Sequence, residues 1–163
     1  MVTQNAKETQ ALGKEIGSRL KTENRKPKTD KAVVLALMGE LGSGKTTFIQ
    51  GLAKGLGIKR RIISPTFIIL RQYVIRNTKN DTRISSHVSR LTNFYHIDLY
   101  RLETNIESEM KNLGMDEIMS DPSNLIAIEW AEKAKDYLPK NTQWIKFEHV
   151  SEKKRKIKIN INH

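Results

Sequence analysis

Cysteine is absent from all 163 residues, which excludes disulfides and thiolate-held metals and fits a reducing compartment. No apolar run approaches the roughly 20 residues that a membrane-spanning helix needs. The opening stretch, MVTQNAKETQALGKEI, has neither the apolar core of a secretory signal nor the Arg-rich, acid-poor character of a transit peptide, so a cytoplasmic location is expected. Aromatic residues amount to 6%, and no aromatic motif of the kind that stacks nucleic-acid bases is present. Acid is also scarce: 18 Asp and Glu stand against 29 Lys and Arg, leaving a net charge of +11. Such a charge attracts polyanions, RNA among them. It is spread along the chain and not gathered into one stripe, so ordinary solvated lysines account for it as well.

The length is that of one domain able to bury a core, and residues 1–163 are read as a single unit. Leu12, Ile16 and Leu20 recur at four-residue spacing, with Ala6 ahead of them, and predict a helix over residues 6–20. Residues 21–31 are polar, contain Pro27 and read as a loop. AVVLALM at 32–38 is continuously apolar, the pattern of a central parallel strand covered on both faces. Beyond a glycine-rich turn, Phe48, Ile49, Leu52, Ala53 and Leu56 mark an amphipathic helix, with Gly57 at its left-handed cap. Residues 61–75 carry an apolar stretch broken by Ser64-Pro65-Thr66, and 77–81 reads as a hairpin tip. Short strands follow at 94–99 and 125–129, separated by a helical region over 105–119. Residues 143–150 and 156–161 form a half-exposed hairpin, because Ile157, Ile159 and Ile161 alternate. The expected fold is α/β, a mainly parallel central sheet flanked by helices and ending in a β-hairpin.

Gly39-Glu40-Leu41-Gly42-Ser43-Gly44-Lys45-Thr46 fits G-x-x-x-x-G-K-[ST]. Glycines let successive backbone N–H groups turn inward around a phosphate, and Gly42, Ser43, Gly44 and Thr47 belong to that cradle. Lys45 reaches the β and γ phosphates, the Thr46 hydroxyl can bind Mg²⁺, and the start of the next helix adds positive field. A buried strand before the loop and a helix after it separate this match from an ordinary glycine turn. No G-x-G-x-x-G fingerprint is present, and no Asn-Lys-x-Asp guanine motif, so ATP is expected over GTP. Asp98 and Glu129 each close a short strand. Either is an exposed strand-ending acid or an oxygen ligand for the metal.

Four blocks, Gly39-Glu-Leu-Gly-Ser-Gly-Lys-Thr-Thr47, Ser64-Pro-Thr-Phe67, His96-Ile-Asp-Leu-Tyr-Arg101 and Ile128-Glu-Trp130, together resemble the bacterial TsaE (YjeE) family. The resemblance runs from about Thr9 to the last hairpin and departs in residues 71–93, which are longer than the family pattern. It implies a P-loop NTPase-like domain supporting threonylcarbamoylation of tRNA adenosine, with ATP and Mg²⁺, alongside TsaD and TsaB and with tRNA contacted only weakly or indirectly. It assigns Glu129 to Mg²⁺, Asp98 to hydrolysis and Ser64-Pro65-Thr66 to a switch-like segment at the γ phosphate. It also sets Ala6 toward the adenine. His96 reads as structural. Trp130 is divided between packing beside nucleotide or partner and plain core, and Arg155 between the nucleotide and a hairpin charge. The competing reading is a small-molecule kinase, with Asp98 as base and residues 71–93 as lid. A nucleotide-independent RNA-binding module rests on charge alone.

Overall fold

The computed structural model describes residues 1–23, 30–75 and 89–159. Its elements are β1 (Val2–Thr3), α1 (Ala6–Glu23), β2 (Val33–Met38), α2 (Lys45–Gly55), β3 (Leu70–Val74), β4 (Asn93–Asp98), α3 (Ile106–Asn112), α4 (Met115–Ser120), β5 (Asn124–Glu129), β6 (Gln143–His149) and β7 (Arg155–Ile159), with a short 3₁₀ turn at Ala131–Ala134. The seven strands form one sheet in the order β1-β7-β6-β2-β5-β4-β3. The four middle strands run parallel, and antiparallel partners flank them at both margins.

β2 is continuously apolar because both its faces are covered. Leu35 and Leu37 join the core under α1 and α2, while Val34 and Ala36 join the core on the α3 and α4 side. β5 repeats the division, with Leu125 and Ala127 on one face and Ile126 and Ile128 on the other. Leu12, Ile16 and Leu20 pack on the first core as the spacing predicts, but Ala6 is exposed and takes no part in that face. The helix also runs past residue 20 to Glu23, shortening the predicted loop. Its start is fixed by a variant of the capping box whose return bond falls one residue early: Asn5 Oδ1 accepts from the Glu8 amide at 3.0 Å, and Glu8 Oε2 accepts from the Gln4 amide at 2.7 Å. The predicted hairpin tip at 77–81 lies outside the described residues, as do Pro27, Ile161 and most of 71–93; β3 and β4 nevertheless pair antiparallel.

α1 and α2 cross with almost no side chain between them. A Cβ built on Gly51 would stand 2.0 Å from the Gln10 carbonyl oxygen, and one on Gly17 2.2 Å from that of Leu52. Gly13 and Gly55 meet opposing backbone at 2.2 Å as well, so each helix contributes a Gly-x-x-x-Gly pair. On an isolated helix, Gly51→Ala would gain about 1 kcal/mol in propensity. Here the methyl group would have to push two backbones apart, and overpacking of that kind costs about 1–3 kcal/mol. The variant should therefore unfold at lower urea concentration with an unchanged m value. An equal or higher midpoint would mean that the helices can separate freely.

Candidate nucleotide site

β2 ends in the core, and the chain must then turn sharply to enter α2. Gly42 and Gly44 make the turn at φ +73° and +100°, values that only glycine adopts without strain. The loop closes around its own lysine. Lys45 is 4% exposed, and its ammonium donates to the carbonyls of Gly39 at 2.6 Å and Glu40 at 2.9 Å. The ammonium also sits 4.2 Å from the centre of the Trp130 ring. Burial pushes its pKa below the ordinary lysine value, and the charges of Glu129, Glu132 and Asp98 oppose that shift.

Beside the loop opens a cleft of about 380 Å³. Gly42, Ser43, Gly44, Lys45, Thr46 and Thr47 line one side; Ser64, Thr66, Asp98, Glu129 and the rings of Tyr100 and Trp130 line the rest. Parallel pairing sets the two acids side by side, because β4 and β5 are in register with Asp98 opposite Glu129. Each acid has a distinct set of partners. Thr46 Oγ1 lies 2.9 Å from both Glu129 oxygens, and His96 Nε2 holds Glu129 Oε1 at 2.9 Å. Asp98 Oδ2 accepts from the hydroxyls of Ser64 at 2.7 Å and Thr66 at 2.5 Å, while Oδ1 accepts from the Tyr100 amide at 3.0 Å.

Two observations fit a phosphate and a hard cation. The Ser43 hydroxyl is buried with no hydrogen-bond partner, an orphan polar group in the wall of the phosphate loop. Thr46 and Glu129 offer oxygen donors only, and no group of three or more His, Cys, Asp or Glu occurs among the described residues that could hold a metal. Mg²⁺ suits such a set, since it keeps several waters and shares substrate phosphates where other metals take an all-protein cage.

Of the residues expected at the site, Ala6 is not brought there: it opens α1 at the surface and does not line the cleft. Thr9, one turn further on, does approach, being the side chain that a Cβ on Gly44 would meet at 3.6 Å. Its hydroxyl is tied to that of Thr3 at 2.8 Å. Arg155 reaches the loop too, donating to the Gly42 carbonyl at 3.2 Å. His96 is fully buried against Glu129, in keeping with a structural place. Trp130 lines the cleft and packs on Tyr100 at 5.2 Å between ring centres, and its backbone is left-handed at φ +58°. Ile69, just past the Ser64 to Phe67 segment, has φ +64°. For bulky or β-branched residues this conformation is strained; Trp130 lines the cleft, and the Ile69 carbonyl accepts from the Asp98 amide at 2.9 Å. The spelling of the sequence carries no signal for either.

A phosphate loop between a buried strand and a helix, facing acids at the ends of two adjoining strands, defines a P-loop NTPase-like protein. A family model described as "Threonylcarbamoyl adenosine biosynthesis protein TsaE" matches residues 3–157, and the chain belongs to the TsaE family. It is similar to the tRNA threonylcarbamoyladenosine biosynthesis protein TsaE of Bacillus subtilis (strain 168), 35% identical over 155 residues that cover 95% of this chain and 80% of the relative. The protein of the same name from Treponema pallidum (strain Nichols) is 32% identical over 158 residues, 97% of each chain. Among solved structures, Bacillus subtilis YdiB superposes with a TM-score of 0.68 at 28% identity, covering 100% of this chain and 84% of that one. Among the described residues no helix is long and apolar enough to cross a membrane.

Proposed function

We propose that this protein binds ATP with Mg²⁺ and hydrolyses it slowly, as a subunit required for N6-threonylcarbamoyladenosine formation on tRNA that works with TsaD and TsaB and is not itself the transferase. The observation that carries this reading is the pairing of two differently held acids across the phosphate loop, Glu129 on Thr46 and Asp98 on the Ser64 and Thr66 hydroxyls. Mg²⁺ bound with the nucleotide would neutralise charge on the β and γ phosphates. Lys45 exchanges its two carbonyl partners for phosphate oxygens, and Ser43 and the loop amides complete the cradle. Thr46 and Glu129 hold the metal side. Thr66, oriented by Asp98, faces the γ phosphate and positions the attacking water.

That arrangement makes the Ser64 to Phe67 segment sensitive to the γ phosphate, since its two hydroxyls hang on one carboxylate oxygen. The same segment leads into exposed apolar side chains, Phe67 at 80% and Ile63 and Ile68 at 52% each, with Leu41 of the loop at 70%. Apolar exposure concentrated at the mouth of a nucleotide cleft suits a partner whose grip depends on nucleotide state. A kinase would need Asp98 free as base for an acceptor, yet both its oxygens are engaged by Ser64, Thr66 and the Tyr100 amide.

Among the described residues no arginine lines the cleft, and fast hydrolysis would need the extra cation that phosphate-loop enzymes use at the γ phosphate. ATP turnover by the isolated protein should be slow and should rise on adding TsaD and TsaB. The rise should be smaller than the ~10³-fold or more that a supplied arginine gives elsewhere. Rapid turnover that ignores both partners, or phosphate transfer to a small metabolite, would overturn the reading.

A further inference from the structure

Away from the nucleotide cleft, at the opposite end of α2, two adjoining clefts of about 350 and 360 Å³ share Ile58, Lys59 and Arg60. α2 spans the distance from the phosphate loop at its first turn to this end at its last, eleven residues or about 16 Å at 1.5 Å per residue. Ile58 and Ile62 are buried at 8% and 4%, and they pin the intervening Lys59-Arg60-Arg61 so that all three cations face outward. Lys54 joins them from the last turn of α2. No Asp or Glu lines either cleft, and none of the four cations makes an ion pair among the described residues.

Amide groups fill the spaces between these charges. Lys54 donates to Gln10 Oε1 at 2.6 Å, Gln10 donates to Gln50 at 3.3 Å, and Gln72 lies on the far wall. Cations that merely complemented the negative end of α2 would sit in its last turn, as Lys54 does; the other three stand beyond the helix, where that field has faded. Exposed cations beside uncharged amides, with no acid lining the clefts among the described residues, suit a row of phosphates. We propose that this groove binds the phosphate backbone of RNA. The choice of RNA among polyanions rests on the proposed part in tRNA modification; the groove itself does not.

The test is fluorescence anisotropy of a labelled, unmodified tRNA transcript with the full chain, titrated across a range of salt concentrations. Lys59→Glu with Arg60→Glu should weaken binding about tenfold or more at low salt. It should also lower the slope of log K against log salt by about 1.5, since each lost phosphate contact is worth roughly 0.7–0.9. Lys59→Gln with Arg60→Gln, a milder pair, should move both readings the same way. Lys135→Glu with Lys140→Glu makes the same change in net charge at other exposed positions and should leave binding within about twofold. Equal losses from the two glutamate pairs, no loss from the first, or tighter binding to anionic lipid vesicles than to tRNA would each overturn the proposal. ATP binding by the unaltered protein, measured in parallel, separates failure of the groove from failure of the nucleotide site.

Discussion

Lys45→Ala should reduce ATP affinity by about a hundredfold, the equivalent of about 3 kcal/mol. Lys45 is buried as a residue, and its ammonium is held by two carbonyls and the Trp130 face, so much of its hydration is already replaced by the loop. Phosphate oxygens gain an ion from which the surroundings have already removed the water, and the burial that lowers its pKa is relieved by the incoming negative charge. Alanine leaves the amides and Ser43 in place but removes the one cation that lines the cleft among the described residues. Calorimetric titration with ATP and Mg²⁺ measures the loss directly. Binding within a few-fold of the unaltered protein would mean that the loop holds no triphosphate.

Asp98→Asn should lower turnover by about 10² with ATP affinity nearly unchanged, the effect typical of removing a group that positions a proton transfer. One carboxylate oxygen accepts from both Ser64 and Thr66 and the other from the Tyr100 amide. An amide has a single acceptor oxygen. With its oxygen toward the hydroxyls the amide sets its NH2 against the Tyr100 N–H, donor on donor; with its NH2 toward them it can only donate, so Ser64 and Thr66 lose the acceptor that aims them. Glu129→Gln should fail differently. Its carboxylate bridges Thr46 and His96, so its loss should raise the Mg²⁺ concentration needed for half-maximal turnover by about tenfold or more. Matching Mg²⁺ titrations for the two variants would refute this division of labour.

Local patterns made the phosphate loop and its flanking strand and helix legible, because each is written in consecutive residues: AVVLALM, then the glycines, then an apolar stripe. Asp98 and Glu129 were legible as strand ends. Their adjacency was not, since it depends on β4 and β5 pairing in parallel register across an intervening helical segment. β1 escaped because two residues carry no period and gain their strand character only from β7. The Gly-x-x-x-Gly pairs at 13–17 and 51–55 and the Asn5 to Glu8 capping box were present in the letters, and an eye for helix contacts and caps would have caught them. Arg155 and Thr9 reach the loop through tertiary packing that no spacing encodes. Ala6, which the resemblance sets toward the adenine, opens α1 at the surface and is not among the residues lining the cleft.

The pairing of β1 with β7 has a consequence for how the molecule comes into being. Val2 faces Lys156 and Thr3 faces Arg155, so the second strand of that pair is synthesised more than a hundred and fifty residues after the first. The phosphate loop leaves the ribosome ahead of its surroundings, which arrive piecemeal: Ser64 and Thr66, then Asp98, then Glu129, and later Arg155 on the Gly42 carbonyl. A nascent chain holds the glycine turn for most of its synthesis without the walls of the cleft. Contacts so distant in sequence make for slow closure. A nucleotide that recognises only the finished cleft favours the completed chain over every shorter one, by about 2.7 kcal/mol at a hundred times its dissociation constant. On the proposed function, ATP would then act as a late folding ligand as well as a substrate.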